Sequence, residues 1–221
     1  MLGATSEARR RVEVLHLHSY AIAQLERRGF SFEIAEAEET ERRLREARGD
    51  LDPRFTDAFL SAEWEAVVDY WGIKSWEACR DVVRVGRGSP LSPRQRRQLW
   101  DVFARAQEDL KCSGRATWGE VCDRLRHIIE DEGARPFRHV IVDEAQDLGP
   151  RELRLIAALV APGPRPLFFA GDIGQRIYQW PFPWISAGVD VRGRAQRLRV
   201  NYRTSSEIRR FSDALLPAKL A

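Results

Sequence analysis

Lysine is nearly missing from this chain. It occurs at Lys74, Lys111 and Lys219 only, so almost all of the 36 basic residues are arginine. The planar guanidinium fork suits bidentate recognition of phosphate and carboxylate, although a base-composition bias of the genome accounts for the same imbalance. The formal net charge is only +3, which by itself selects no class of charged partner. Cysteine is also scarce: Cys79, Cys112 and Cys122 are odd in number and form no C-x-x-C pair. That pattern argues against a disulfide frame and against zinc ligation, and points to free thiols in a reducing compartment, with the cytoplasm as the expected location. No apolar run approaches the ~18–20 residues needed to span a bilayer, and the opening "MLGATSEARRRVEV" has no stretch suited to a secretory signal. No membrane partner is therefore expected. What remains is a 221-residue chain, 43% hydrophobic, ample for a core in one α/β domain with an insertion or in two small domains.

The pattern along the chain falls into three zones. Residues 10–25, "RRVEVLHLHSYAIAQL", alternate and then become continuously apolar, as a short strand running into a helix does. Residues 33–130 are charged and helical in period. Ser92, Pro93 and Gln95 have the spacing of a capping box with proline at the first helical position, followed by an apolar stripe of Leu99, Phe103, Ala106 and Leu110. Thr117 and Glu120 repeat the box ahead of Val121, Leu125 and Ile128. Trp64, Trp71, Trp76, Trp100 and Trp118 share this zone and read as core. From residue 136 onward, "RHVIV", "RPLFFAGD" and "QRLRVNY" read as strands separated by a helix at about 150–160, with another helix starting near Thr204. That order implies a parallel sheet with helices on its faces. Leu153, Ile156 and Val160 form the apolar face of the first of these helices, and Ile208, Phe211 and Leu215 that of the second. The expected divisions are 1–32 as a strand and helix of the α/β part, 33–132 as a helical insertion, and 133–221 as the rest of the α/β core.

The chemistry gathers at expected strand ends, where open α/β sheets bind ligands. "HVIVDEAQDL" closes an apolar strand with Asp143, Glu144 and Asp147. Carboxylates this close form either a solvated turn or a seat for a divalent metal. In the second case Asp143 would hold Mg²⁺, Glu144 would orient or deprotonate a water, and Gln146 would report on a phosphate. In "FFAGDIGQRIYQW", Gly171 and Asp172 end another strand, and Gln175 follows in a loop. Gln175 suits a phosphate oxygen or a water. Tyr178 and Trp180 suit a nucleic-acid base, worth ~1–3 kcal/mol when stacked, while Trp184 reads as surface cover. In "LRVNYRTSSEI", Arg203 leaves a strand ahead of a capped helix, within reach of a phosphate, beside Tyr202.

Taken in order, D-E-A-Q-D, G-D-x-x-Q-x-I-Y-x-W and N-Y-R-T resemble the motifs of UvrD/Rep-type superfamily 1 DNA helicases. "VLHLHSYA" is similar to that family's T-F-H-S element, with His16 in place of threonine. The resemblance implies a partial RecA-like parallel sheet of the P-loop NTPase type, with a helical subdomain inserted into the first motor domain. It also implies ATP and Mg²⁺ as cofactors, and single-stranded DNA or DNA junctions as partners. By residue it implies Asp143 as the metal ligand, Glu144 as the base, and Gln175 and Arg203 at the γ-phosphate. Tyr202 would lie against adenine, with Gln146 also in the nucleotide site. Tyr178 and Trp180 would contact single-stranded bases, and His18 and Ser19 would lie near the strand. These groups are expected to converge on one nucleotide cleft.

One element of the pattern is missing. P-loop enzymes cradle phosphates with G-x-x-x-x-G-K-[ST]. Lys111 precedes Cys112, Lys219 precedes Leu220, and Lys74, though followed by Ser75, has Ile73 where glycine is required. The motifs of a second motor domain are also missing, so the chain resembles a first motor domain without its opening strand and loop. The expectation is a partial helicase without ATPase or unwinding activity as an isolated chain, completed if another chain supplies the P-loop and second motor domain. One alternative is a non-catalytic nucleic-acid-binding module derived from a helicase. Another is a metal-dependent nuclease built on Asp143, Glu144 and Asp147, with "EDLK" at 108–111 as a superficial acidic–lysine element.

Overall fold

The computed structural model describes residues 11–84, 87, 90–163, 165–172, 182–198, 200, 202 and 204–215. Helix α1 (Leu17–Glu26) opens the described fold. A short strand β1 (Glu33–Ile34) follows, then α2 (Ala37–Ala47) and α3 (Asp57–Glu63). The last of these continues without a break into π-helical turns over Trp64–Asp69. Helices α4 (Trp76–Asp81) and α5 (Pro93–Cys112) come next, then β2 (Arg115–Ala116) and α6 (Trp118–Asp131). The remainder is β3 (Val140–Val142), α7 (Pro150–Ala158), β4 (Leu167–Phe169) and α8 (Ser206–Leu215).

Both capping boxes form. Gln95 N donates to Ser92 Oγ at 3.3 Å and Ser92 N donates to Gln95 Oε1 at 2.9 Å, which starts α5 where its sequence requires. Thr117 and Glu120 exchange two bonds of 3.2 Å at the head of α6. The stripe Leu99, Phe103, Ala106 and Leu110 is buried, packing with Leu44, Leu60, Trp64 and Val68 in one core. Each large side chain buried in this way contributes ~1.5–3 kcal/mol. A second core joins Ala21 and Leu25 of α1 to Val121, Cys122, Leu125 and Ile129 of α6, and to Leu155 and Leu159. Helix α6, expected in the 33–132 insertion, thus shares its buried face with elements on both sides of that boundary.

A buried arginine ties the two cores together. Arg151, on α7, has a side chain 3% exposed and sits between Asp69 and Asp123. Its Nε donates to Asp123 Oδ2 at 2.9 Å, and its Nη1 donates to Asp69 Oδ1 at 2.6 Å and to the Asp69 carbonyl at 2.8 Å. Thr117 Oγ1 donates to the same Asp69 oxygen at 2.5 Å. Gly119 makes room for this network, since a Cβ there would lie 2.5 Å from Arg151 Nη1.

The sheet is smaller than expected. β1 pairs with β2 and β3 with β4, each pair parallel and two-stranded. The β3–α7–β4 unit is the β-α-β pattern foreseen at the strand ends, in register Val140↔Leu167, Ile141↔Phe168 and Val142↔Phe169. A wider RecA-like sheet is not formed by the described residues. Residues 11–16 form no strand, and Val12, Val14 and Leu15 are 67%, 94% and 51% exposed. Alternation alone does not make a strand without a neighbour to pair with. The described part of "QRLRVNY" is likewise outside any ladder. α8 forms near its expected start, yet Ile208, Phe211 and Leu215 are exposed, so its apolar face lies on no core formed by the described residues. Trp64 and Trp100 are buried and Trp71 and Trp76 pack on the same core, but Trp118 is 38% exposed. All three cysteines are free thiols. No described helix is long and apolar enough to cross a membrane.

Candidate functional site

Because β3 and β4 run parallel, their carboxyl ends lie side by side. The ladder continues past both strands: Ala170 N donates to the Val142 carbonyl at 2.8 Å, and Ala145 N donates to the Ala170 carbonyl at 2.9 Å. The acidic turn is therefore anchored to the second strand as it leaves the first. Between these contacts the chain reverses sharply at Glu144, whose φ of 51° and ψ of 39° are left-handed. Such a backbone is uncommon for any residue but glycine, asparagine or aspartate. Two side chains hold it. Asp143 Oδ1 accepts from Glu144 N at 3.0 Å, and Gln146 Nε2 donates to Glu144 Oε2 at 2.7 Å.

Gln146 is the hinge pin of the site. Its side chain is buried, and its other end, Oε1, accepts from Asp172 N at 3.0 Å. One amide thus joins the carboxylate after β3 to the backbone after β4. Gly171 permits this approach: a Cβ at that position would lie 2.5 Å from Gln146 Oε1 and 3.1 Å from Ala145 N. The requirement for glycine in "GD" is a packing requirement that a single sequence does not reveal. After a 3₁₀ turn over Ala145–Asp147, Gly149 and Pro150 begin α7.

Asp143, Glu144 and Asp147 are all exposed. Water screens their mutual repulsion, and Gln146 fixes one of the three. Asp143 and Glu144 thus present hard oxygen donors to solvent at a strand end. That donor set suits Mg²⁺, which keeps several of its waters when bound.

The other sequence-derived residues are distributed as follows. Gln175, Tyr178, Trp180 and Arg203 lie outside the described residues. Tyr202 is 93% exposed. Ser19 is exposed on α1, whereas the His18 ring turns inward against Trp118, with centroids 4.8 Å apart. Trp184 packs edge-on to Phe169 at 4.8 Å, anchoring the segment after the strand ends to β4. Glu108 and Lys111 of the "EDLK" element pair with each other on the exposed face of α5. A cleft of about 140 Å³ beside Thr40, Trp64, Asp69 and Thr117 includes none of the strand-end residues. The Arg151 network is the feature sequence reasoning missed. Its three charged members, at 69, 123 and 151, are separated by no motif-like spacing.

Comparison with known families gives a match over part of the chain. Residues 92–182 match the family described as UvrD/REP helicase N-terminal domain, which supports the resemblance to a UvrD/Rep-type helicase fragment. The matched span covers about two-fifths of the chain. It contains β3, β4, the acidic turn and Gly171–Asp172; the His18–Ser19 and Tyr202–Arg203 elements lie outside it. No curated protein and no solved structure matches the chain.

Proposed function

We propose that this chain carries part of the nucleotide site of a UvrD/Rep-type, ATP-dependent DNA helicase motor, and that the 221-residue polypeptide does not hydrolyse ATP unaided. The observation that carries the reading is the joining of the β3 and β4 ends by Gln146 within the span that matches the helicase domain. In phosphoryl transfer the protein supplies positioning and charge stabilisation more than covalent chemistry. A rigid turn presenting two carboxylates beside a second strand end serves that purpose.

In this reading Asp143 holds Mg²⁺, which when bound would neutralise charge on the phosphate oxygens. Glu144 accepts a proton from the attacking water, and its orientation is set by Gln146. Gln146, its oxygen and one N–H engaged within the protein, positions Glu144 and keeps a second N–H for the nucleotide site. Gln175 and Arg203 contribute at the γ-phosphate, and Tyr202 offers its exposed ring to adenine. Tyr178 and Trp180 receive unpaired bases, and Ser19 with His18 borders the DNA path. These 221 residues hold no G-x-x-x-x-G-K-[ST] loop, the principal phosphate cradle of such motors, so turnover requires a loop supplied from outside them.

The test measures ATP turnover and single-strand binding by the purified chain with Mg²⁺. The expected result is no turnover, with binding to single-stranded DNA that weakens steeply as salt rises. Turnover abolished by Glu144→Ala would overturn the claim of inactivity, and failure to bind single-stranded DNA at any salt concentration would overturn the helicase reading. A second reading is a nucleic-acid-binding module without catalysis, for which the 93% exposed Tyr202 ring offers a stacking surface. It is selected if single-strand binding is unchanged by ATP and no loop-bearing partner restores hydrolysis.

A further inference from the structure

The inner side of α1 holds a group of donors of which the motor reading uses only His18, and that only as a neighbour of the DNA path. His18, Cys122 and Glu152 come from α1, α6 and α7, and their ligand atoms all lie within 4.8 Å of one another. Cys122 is fully buried, while the side chains of His18 and Glu152 are 29% and 19% exposed. His18 Nε2 stands 3.7 Å from Glu152 Oε1, too far for a hydrogen bond. That buried nitrogen has no hydrogen-bond partner elsewhere, an unusual state for a polar atom closed off from water. The Trp118 ring covers the imidazole, and the His16 ring lies 5.8 Å from it on the solvent side.

We propose that His18, Cys122 and Glu152 form a binding site for a divalent transition metal, with zinc as the best fit. An imidazole nitrogen, a thiolate and a carboxylate are the three ligand types zinc accepts, and a thiolate selects against magnesium and calcium. The charges balance: a dication with one thiolate and one carboxylate is neutral, which a half-buried site requires. As the metal–sulfur bond forms, the Cys122 proton leaves to water. Bonds of ~2.0–2.3 Å place tetrahedral ligands roughly 3.5 Å apart, so the three donors must close by about an ångström, a movement side-chain rotation provides. Water takes the fourth position, or His16 does from the solvent side. The odd number and wide spacing of the cysteines argued against zinc in the sequence. The fold assembles the set from positions 18, 122 and 152, which no short motif spans. The bound metal would clamp α1, and with it Ser19, to the core.

The test uses the full chain, freed of metal and titrated with Co²⁺. One equivalent is expected to produce a thiolate-to-cobalt charge-transfer band in the near ultraviolet with the visible bands of a four-coordinate ion, and Zn²⁺ to displace it. Cys122→Ser should abolish the charge-transfer band, whereas Cys112→Ser, at the exposed thiol, should leave it intact. His18→Asn keeps Cys122 in the core, so it serves if Cys122→Ser fails to fold, and it should weaken binding at least tenfold. The proposal is overturned if no such band forms, if it persists in Cys122→Ser and vanishes in Cys112→Ser, or if folded His18→Asn binds as tightly as the parent chain.

Discussion

Gln146 Nε2 lies 2.7 Å from Glu144 Oε2, while Oε1 of the same amide receives the Asp172 N–H at 3.0 Å. A near-isosteric Gln146→Leu removes both bonds and leaves the Asp172 N–H of a part-buried contact unpaired, an expected loss of ~1–2 kcal/mol by urea unfolding. Gln146→Glu should lose more at neutral pH, because it sets a carboxylate oxygen against that of Glu144. The difference should shrink as pH falls and the pair takes up a proton. Equal stability of the two variants at pH 7 would show that Glu144 turns away from the amide.

Glu144 separates backbone strain from side-chain contact. Its left-handed backbone carries a penalty of roughly 1–2 kcal/mol that glycine does not pay. Glu144→Ala and Glu144→Gly both lose the bond to Gln146, but only the alanine variant keeps the strain. Glycine's greater freedom in the unfolded chain offsets part of the gain. The glycine variant is therefore expected to be the more stable by roughly 0.5–1 kcal/mol in matched urea titrations. If alanine is equal or better, the chain does not make this turn in solution.

Glu63 is the buried carboxylate of the helical zone. Its side chain is 4% exposed and engages Arg84, itself 7% exposed, along with Arg87. Glu63→Leu takes away the buried carboxylate that both guanidinium groups share, with an expected loss of ~3–5 kcal/mol in thermal or chemical unfolding. Asp52→Ala breaks the exposed pair with Arg54 and should leave stability nearly unchanged, since water already solvates both partners. Comparable effects for the two variants would mean that the Glu63 cluster opens to solvent.

What could be read from the sequence was local. The bonds between Ser92 and Gln95, and between Thr117 and Glu120, involve residues three apart, and the stripe ending at Leu110 repeats at helical spacing, so neighbours alone announce them. The β3–α7–β4 order and the acidic turn at a strand end were legible for the same reason. Tertiary partnership was not. Val12 and Val14 alternate like a strand yet have none to join, and the face of α8 bearing Phe211 is apolar yet exposed. Trp118 faces His18 and solvent, not the core. The need for glycine at position 171 arises from a side chain 25 residues away, and Arg151 meets Asp69 across 82 residues. Such contacts leave no periodic trace.

The thiols differ in reactivity in a way that pH exposes. Hydrogen bonding to Glu108 pushes the exposed Cys112 thiol up, and burial pushes Cys79 and Cys122 up. The thiolate is the nucleophile, so a raised value slows alkylation near neutrality. In the folded chain iodoacetamide should modify Cys112 alone, at a rate that climbs with pH to a midpoint above that of the unfolded chain. Glu108→Gln should lower that midpoint. Modification of Cys122 as fast as Cys112 in the native, metal-free chain would show that the second core is loose.

Gly119 tests whether the Arg151 network joins the two cores in solution. A methyl at this position would sit 2.5 Å from Arg151 Nη1 and 2.7 Å from its central carbon. In a helix interior Gly→Ala ordinarily stabilises by ~0.5–1 kcal/mol, and in the first turn, where Gly119 lies, by less. Here the guanidinium must shift away from Asp69, exchanging short charge-assisted bonds for longer ones in a site with little water. The expected sign is reversed, a loss of about 1–3 kcal/mol from overpacking. Arg151→Ala removes every atom that crowds the new methyl, so Gly119→Ala should cost little in that background. A double-mutant cycle measures the coupling directly. If Gly119→Ala stabilises the parent chain, Arg151 does not lie over α6, and the link between the helical layer and the strand-end site fails with it.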